Sequence, residues 1–217
     1  MQSLIGDALE AYVHEQTSPE STLLEELRQE THASSIPDPQ MQIGRVEGQF
    51  LRMMCQLSRA ERVLEVGTFT GYSALALASG LPAGGQLITC DVDPRATEMA
   101  QRYFDRSPDG GKIKLRLGPA LDTLAELAAE RATFDLAFID ADKEQYVAYW
   151  DAIVPMMTPG GVLLADNALW SGAVLDPRDA SDRGVVAFNA HVAADQRVEQ
   201  VLLAVRDGVM MARKRVL

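Results

Sequence analysis

The amino-acid sequence predicts a doubly wound α/β fold, with a mostly parallel sheet, helices added at the N-terminus and a C-terminal β-hairpin. Three observations support this prediction. An apolar strand, a glycine turn and a helix follow one another at residues 63–78. Apolar strands and helices then alternate up to about residue 194, which is typical of a parallel sheet. Finally, Asp207-Gly208 lies between two apolar runs, which indicates a hairpin.

The strand–turn–helix unit is the part around which the chain is organised. Val63 begins an apolar, mostly β-branched run that is typical of a buried strand. Gly67 allows the backbone to approach a ligand, and the helix near Tyr72 offers free N–H groups and a positive dipole end. The spacing from Gly67 to Gly71 is G-x-x-x-G, not the G-x-G-x-x-G of dinucleotide sites. For the glycines alone, a tight turn without a ligand is an alternative interpretation.

The N-terminal part is predicted to be helical. Apolar residues recur at helical spacing over residues 3–32, and Ser18-Pro19 separates two helices. A break with two prolines follows at residues 34–39, and another helix is expected over residues 46–57. The apolar face predicted for that helix comprises Val46, Phe50, Met53, Met54 and Leu57. The expected organisation is one domain over residues 1–217, made of a helical addition (1–58) and an α/β core (59–217).

Polar residues stand where the core strands end. After the first strand, further strands are predicted at residues 86–91, 112–117, 134–140, 160–167, 198–205 and 209–214. The polar residues at strand ends are Glu65, Asp91, Asp140, Asp166 and Asn167. Ligands of such sheets bind at the carboxyl ends of the strands, so we expect these side chains to converge on a binding site. Each of them taken singly has an alternative role as a helix cap or a turn residue.

The types of these residues indicate the chemistry of the site. Asp140, Asp166 and Asn167 are three hard oxygen donors, which suit Mg²⁺ or Ca²⁺. Asp91 lies roughly 20 residues beyond the glycine turn, where an acid can accept both hydroxyls of a ribose. The histidines at positions 14, 32 and 191 lie outside the strand-end sites, so no zinc cluster competes.

Composition excludes several classes of protein. The apolar fraction of 47% suits a sizeable core, and no apolar run reaches the length of a membrane span. The N-terminal segment lacks the layout of a signal peptide, so a cytoplasmic location is expected. The net charge of −11 disfavours nucleic-acid binding, although a local basic patch remains compatible with it. Cys55 and Cys90 are expected to be buried thiols.

Five segments together resemble one known family. They are EVGTFTGYSALALA at 65–78, ITCDVDP around Asp91, LGPALDTL at 117–124, FDLAFIDADKEQY at 134–146 and ADNALWSG at 165–172. The chain resembles the cation-dependent class I O-methyltransferases, which include caffeoyl-CoA and catechol O-methyltransferases. MQIGRVEGQFL at 41–51 is also similar, although Arg45 stands where family members often have proline or another small residue. The resemblance covers nearly the whole chain and implies a Rossmann-like, seven-stranded sheet with the strand order 3-2-1-4-5-7-6.

The resemblance also implies cofactors and roles for individual residues. S-adenosylmethionine would be the methyl donor, bound by Glu65, Gly67, Ser73, Asp91, Ala120 and Asp140. A divalent cation, Mg²⁺ with Ca²⁺ or Mn²⁺ as alternatives, would be held by Asp140, Asp166 and Asn167. Lys143, next to Asp140, would be the general base, and Met41 and Trp170 would line the acceptor pocket. The alternatives are a solvent-facing lysine at position 143 and a loop anchor at position 170.

The function that follows is metal-dependent O-methylation of a vicinal diphenol, either a catechol or a caffeoyl-type small molecule. One alternative is methylation of 5-hydroxyuridine in transfer RNA, which a basic rim around the metal site would favour. A second alternative is a non-catalytic protein that binds S-adenosylmethionine. We further expect a homodimer without nucleic acid or membrane as a partner, formed through an apolar face of residues 1–40. The apolar residues of that face are Leu4, Ile5, Leu9, Leu23 and Leu27.

Overall fold

The computed structural model describes residues 6–216, so Leu4 and Ile5 lie outside the described residues. The helices are α1 (Asp7–Gln16), α2 (Thr22–Ala33), α3 (Arg45–Ser58), α4 (Tyr72–Gly80), α5 (Pro94–Arg106), α6 (Ala120–Ala129), α7 (Tyr146–Ile153) and α8 (Ala180–Ala194). The strands are β1 (Arg62–Val66), β2 (Gln86–Asp91), β3 (Ile113–Leu117), β4 (Phe134–Ile139), β5 (Met157–Ala165), β6 (Val198–Leu203) and β7 (Val209–Lys214). None of the helices found between residues 6 and 216 has the length and apolarity that crossing a membrane requires.

The strands form one sheet in the order β3-β2-β1-β4-β5-β7-β6. Neighbouring strands from β3 to β5 run parallel, whereas β7 is antiparallel to both β5 and β6. The predicted fold class and strand order are therefore confirmed. The order reverses between β1 and β4, and a crevice forms at such a switch point beyond the carboxyl ends of the strands.

Both faces of the sheet are covered, because side chains alternate along each strand. In β4, Leu136 and Phe138 pack on the side of α2, α3, α4 and α5. Ala137 and Ile139 pack on the opposite side, with α6, α7 and α8. Cys55 and Cys90 are free, buried thiols, as expected.

The apolar face predicted for α3 is wrong. The buried residues of α3 are Glu47, Gly48, Leu51 and Cys55, whereas Met53 is 46% exposed and Leu57 is 72% exposed. Gly48 decides this orientation, because a Cβ at that position would lie 2.8 Å from the Tyr72 ring of α4. Close packing of α3 on α4 therefore places the small residue inside and leaves part of the apolar stripe outside.

The C-terminal hairpin is confirmed, but its turn is longer than Asp207-Gly208 suggests. Leu203 pairs with Val209, so residues 204–208 form the connection. The fifth strand also ends earlier than predicted, at Ala165, and Asp166 and Asn167 follow it.

Candidate active site

A cleft of about 1220 Å³ opens at the carboxyl ends of the strands. The predicted residues that line it are Met41, Gly67, Ser73, Asp91, Ala120, Asp140, Lys143, Asn167 and Trp170. Glu65 and Asp166, which are 0% and 3% exposed, lie behind this lining. The convergence expected from the strand ends is therefore present in the structure.

The turn after β1 depends on Gly67 for a steric reason that comes from the loop after β4. Gly67 has a φ of +101°, and a Cβ there would lie 1.9 Å from the carbonyl oxygen of Asp140. Any side chain would thus collide with the backbone that follows β4. Gly67 allows the two strand-end loops to pack against each other, and this packing forms the floor of the cleft.

Asp91 is held in a fixed orientation at the end of β2. Its Oδ2 accepts hydrogen bonds from the backbone N–H groups of Thr68 (3.0 Å) and Phe69 (2.7 Å). Its Oδ1 accepts a third from the N–H of Asp93, at 3.0 Å. These bonds use three of the about four lone-pair sites of the carboxylate, so Oδ1 retains one that can accept a hydroxyl in the cleft. Ala120 begins α6 across the cleft, where helix geometry leaves backbone N–H groups available.

Glu65 lies beneath the turn in a buried polar cluster. Thr89 donates a hydrogen bond of 2.5 Å to its Oε2, and Thr68 lies 2.6 Å from the Thr89 hydroxyl. Burial raises the pKa of Glu65 to about 8, and interactions with the Ser73 and Thr89 side chains oppose that rise only in part. This carboxyl is thus poised to change charge close to neutral pH.

The ends of β4 and β5 bring together the three predicted oxygen donors. Burial, and then the charge of Asp140, raise the pKa of Asp166 to about 7. The Oδ1 atom of Asp166 is buried without a hydrogen-bond partner. Between residues 6 and 216, no group of three His, Cys, Asp or Glu residues is suited to a metal. The third predicted donor at this site is instead the Asn167 amide. Two repelling carboxylates, one with an orphaned oxygen, fit a hard divalent cation beside them.

Lys143 faces this acidic group and is only 8% exposed, so the solvent-facing alternative is wrong. Its Nζ donates to Asp140 Oδ1 at 2.9 Å and to the Tyr146 hydroxyl at 2.6 Å. Burial lowers the pKa of Lys143, but Tyr146 and Asp140 outweigh burial, and the net shift is upward. The Tyr146 hydroxyl and the Asp140 carboxylate thus stabilise the ammonium form of Lys143.

The two predicted acceptor residues stand at the mouth of the cleft. The Nε1 of Trp170 donates to Asp182 Oδ1 at 2.8 Å, and the Lys143 Nζ lies 5.6 Å from its ring. Trp170 is therefore both a loop anchor and a wall of the cleft, so the two interpretations are compatible. Met41 lines the same cleft and is 52% exposed.

Sequence reasoning missed four residues around this centre. Tyr146 belongs to none of the predicted sites, and Asp207 carries only the hairpin signal. Glu47 forms a buried ion pair with Arg206 at 2.9 Å, across 159 positions of sequence. The sequence offers two signals for these residues: a charged residue beside Gly48 and an acid in a hairpin turn. Neither signal identifies a partner that is so distant in sequence.

The fold and the cleft together define a class. A parallel sheet with the order 3-2-1-4-5-7-6, a glycine turn after β1 and an acid at the end of β2 describe a Rossmann-like methyltransferase. The chain belongs to the O-methyltransferase family, whose model matches residues 14–215.

Individual relatives agree with this assignment. A caffeoyl-CoA O-methyltransferase of Petroselinum crispum is 35% identical over 224 residues, which cover 97% of this chain and 92% of that protein. The catechol O-methyltransferase domain-containing protein 1 of Mus musculus is 42% identical, over 77% of this chain and 66% of that protein. Among solved structures, an O-methyltransferase from Bacillus cereus in complex with SAH has a TM-score of 0.88 and 31% identity. The match covers 96% of this chain and 97% of that one.

Proposed function

We propose that this enzyme methylates one hydroxyl of a vicinal diphenol, using S-adenosylmethionine as donor and a divalent cation. The observation that carries the proposal is the shared cleft. Asp140 and Asn167 line the same cavity as Lys143, Asp91 and the β1 turn, Asp140 accepts a hydrogen bond from the Lys143 ammonium, and Asp166 lies buried behind this lining. A donor site and a cation site that open into one cavity suit transfer between a bound nucleoside and a bound phenol.

The donor site is assigned from the residues at the ends of β1 and β2. Asp91 would accept the ribose hydroxyls, since three backbone N–H groups already hold its carboxylate in place. The N–H of Ala120 would meet the adenine, while Gly67 and Ser73 would contact the methionine part. The Bacillus cereus structure was solved with SAH, which supports a donor of this type.

The cation would be held by Asp140, Asp166 and Asn167, with Mg²⁺ as the first choice and Ca²⁺ or Mn²⁺ as alternatives. When bound, it supplies positive charge that acidifies a coordinated hydroxyl and fixes two adjacent oxygens. The orphaned Oδ1 of Asp166 supports this assignment.

Lys143 is the proposed general base. In the chain itself, Asp140 keeps its Nζ protonated through the hydrogen bond of 2.9 Å. A cation held by Asp140 would reduce this stabilisation, and burial would then favour the neutral amine of Lys143. Lys143 can then accept the phenolic proton, and the Trp170 ring beside it offers a stacking surface for a planar acceptor.

The charge of the residues that line the cleft helps to choose among the candidate acceptors. Among the residues that line the cleft, the acids are Asp91, Asp93, Asp122, Asp140, Asp142 and Asp207. Lys143 is the one Lys or Arg side chain of that lining. This acidity disfavours transfer RNA and also a phosphate-rich coenzyme A thioester, so it supports a free catechol. A non-catalytic binding role, the third candidate, leaves the buried Lys143–Asp140 pair without a use.

Methylation assays with labelled donor test the proposal. We expect kcat/KM for caffeic acid to exceed that for p-coumaric acid by at least ~100-fold, because a monophenol loses one positioned electrostatic contact. EDTA should abolish turnover and leave S-adenosylhomocysteine binding intact in calorimetry. A ratio near one, or full activity in EDTA, would rule out chelation. Labelling of total transfer RNA in preference to catechols would favour the RNA alternative.

Three further expectations accompany this proposal. The enzyme would act in the cytoplasm, on a small phenolic molecule and without a nucleic-acid or membrane partner. It would form one domain over residues 1–217, with residues 1–58 as the helical addition. It would also assemble as a homodimer.

A further inference from the structure

The loop between β6 and β7 reaches into the active site through Asp207. This residue is 2% exposed and lines the cleft, yet none of the proposed catalytic steps uses it. Two backbone hydrogen bonds of 2.8 Å fasten this loop to the segment after β5: Ala168 N–H to Gly208 O, and Leu169 N–H to Asp207 O. Gly208 is required for this approach, because a Cβ would lie 2.8 Å from the Leu169 nitrogen.

The Asp207 carboxylate makes two different contacts inside this junction. Its Oδ2 accepts a long hydrogen bond of 3.4 Å from the side-chain Nδ2 of Asn167. Its Oδ1 accepts a hydrogen bond from the backbone N–H of Ser171. Since the Asn167 Nδ2 donates to it, the Asp207 carboxyl faces the NH₂ end of the Asn167 amide. The amide oxygen, which is the end a hard cation binds, then lies at the opposite end of the group.

We propose that Asp207 is a positioning residue that orients the Asn167 amide toward the cation and holds the loop of Trp170 and Ser171 in place. This inference rests on the proposed function, in which Asn167 is a cation ligand. The same carboxylate accepts hydrogen bonds from the Asn167 amide and from the Ser171 N–H. One side chain therefore contacts both the proposed cation ligand and the loop that carries Trp170. Trp170 and Ser171 have φ values of +47° and +51°, a conformation that needs outside support.

The substitution Asp207→Asn tests the orientation, since it changes hydrogen bonding with little change in shape. The new amide can still accept from the Ser171 N–H through its oxygen. Its NH₂ group, however, would oppose the NH₂ of Asn167, and a flip of Asn167 would turn a nitrogen toward the cation. We expect Mn²⁺ binding, followed by electron paramagnetic resonance, to weaken about 10- to 100-fold. S-adenosylhomocysteine affinity should stay within about twofold.

A reciprocal exchange separates orientation from simple structural damage. In the double variant that combines Asn167→Asp with Asp207→Asn, the amide at position 207 can donate to the carboxylate at position 167. A donor then faces an acceptor again, with the direction of the hydrogen bond reversed. In the wild-type background, Asn167→Asp instead places two carboxylates against each other. We therefore expect Asn167→Asp to improve Mn²⁺ affinity at least tenfold more in the Asp207→Asn background than in the wild type.

Asp135→Asn is the matched control. Asp135 also accepts backbone N–H bonds, from Glu61 (3.1 Å) and Arg62 (2.9 Å), but at the start of β1. The substitution Asp135→Asn should leave the Mn²⁺ affinity unchanged. Wild-type Mn²⁺ affinity in Asp207→Asn, or no difference between the two backgrounds, would overturn the role of Asp207 alone. A wild-type enzyme that binds no Mn²⁺ would instead overturn the cation site, and this role with it.

Discussion

At the scale of single residues, the acids of the cleft lie in two different environments. Asp91 accepts hydrogen bonds from three backbone N–H groups, which hold its side chain in one orientation at the cleft. Asp166 has a buried oxygen without a partner and a second carboxylate beside it. The first environment suits a hydroxyl ligand, and the second suits a cation.

We expect substitutions in these two environments to affect the binding of different ligands. Asp91→Ala should weaken S-adenosylhomocysteine binding at least about tenfold, because hydrogen bonds to a charged group contribute ~1.5–3 kcal/mol. Its Mn²⁺ affinity should stay close to the wild-type value. Asp166→Ala should show the opposite pattern, with Mn²⁺ binding lost and the nucleoside retained. Calorimetric titrations of both variants provide the measurement, and each variant serves as the control for the other. An unchanged nucleoside affinity in Asp91→Ala would contradict the ribose assignment.

Glu65 predicts a pH dependence of stability. Its pKa rises from an ordinary value of 4.5 to about 8 on folding, so the folded chain binds the extra proton between these values. The free energy of unfolding therefore falls as the pH rises through this window, and the loss is complete above the folded pKa. Glu65→Gln removes the titration while keeping the shape of the side chain.

Urea denaturation at pH 6 and pH 9 measures this effect. The free energy of unfolding of the wild type should fall between pH 6 and pH 9. This fall should be smaller by about 2–3 kcal/mol in Glu65→Gln. The same loss in both proteins would show that another group titrates in this range.

At the scale of elements, an ion pair joins α3 to the β6–β7 loop. The Glu47 side chain is 1% exposed and that of Arg206 is 25% exposed. Burial, and then the nearby charge of Asp166, raise the pKa of Glu47 well above its ordinary value, while Arg206 lowers it. Arg206 thus compensates a buried acid and fastens the loop that carries Asp207.

Removing Arg206 should therefore cost more than removing an exposed partner. Arg206→Ala leaves Glu47 buried without its cation, and we expect a loss of about 3 kcal/mol in the free energy of unfolding. Arg95→Ala, at an ion pair whose two side chains are 66% and 31% exposed, should change the free energy of unfolding far less. Denaturant titration of both variants provides the comparison. Adding Glu47→Gln to Arg206→Ala should recover part of the loss, and equal losses in the two single variants would contradict the role of this ion pair.

At the scale of the whole molecule, the N-terminal helices leave apolar surface exposed. α1 contains no buried residue, with Leu9 59% and Tyr12 60% exposed, and Leu57 of α3 is 72% exposed. α2 behaves differently, because Leu27 is fully buried against its own chain. The face proposed for the homodimer is therefore narrower than residues 1–40 and is carried by α1 and α3.

We predict that the protein is a dimer at micromolar concentration and that Leu9→Glu with Tyr12→Glu makes it a monomer. Both side chains have at least half of their surface exposed, so charge at these positions disturbs only an interface. Light scattering gives the mass of each protein, and Glu10→Gln on the same helix serves as the control. A monomeric mass for the wild type would contradict the proposed assembly.

The sequence by itself determined the order of strands and helices, because apolar periodicity and turn residues are local signals. It also located Asp91, Asp140, Asp166 and Asn167, since each follows an apolar strand and parallel strands end at one edge. The charged pair Lys143–Asp140 lies within one loop, so its proximity was predictable as well.

Only the tertiary structure decided which distant residues complete the centre. Asp207 reaches Asn167 across 40 positions, and Glu47 reaches Arg206 across 159. No local pattern contains such pairs, because they depend on how α3 and the hairpin pack against β5. Packing likewise decided the buried face of α3 and the raised pKa of Lys143. Both depend on neighbours that folding supplies: the Tyr72 ring in the first case, and the Asp140 and Tyr146 side chains in the second.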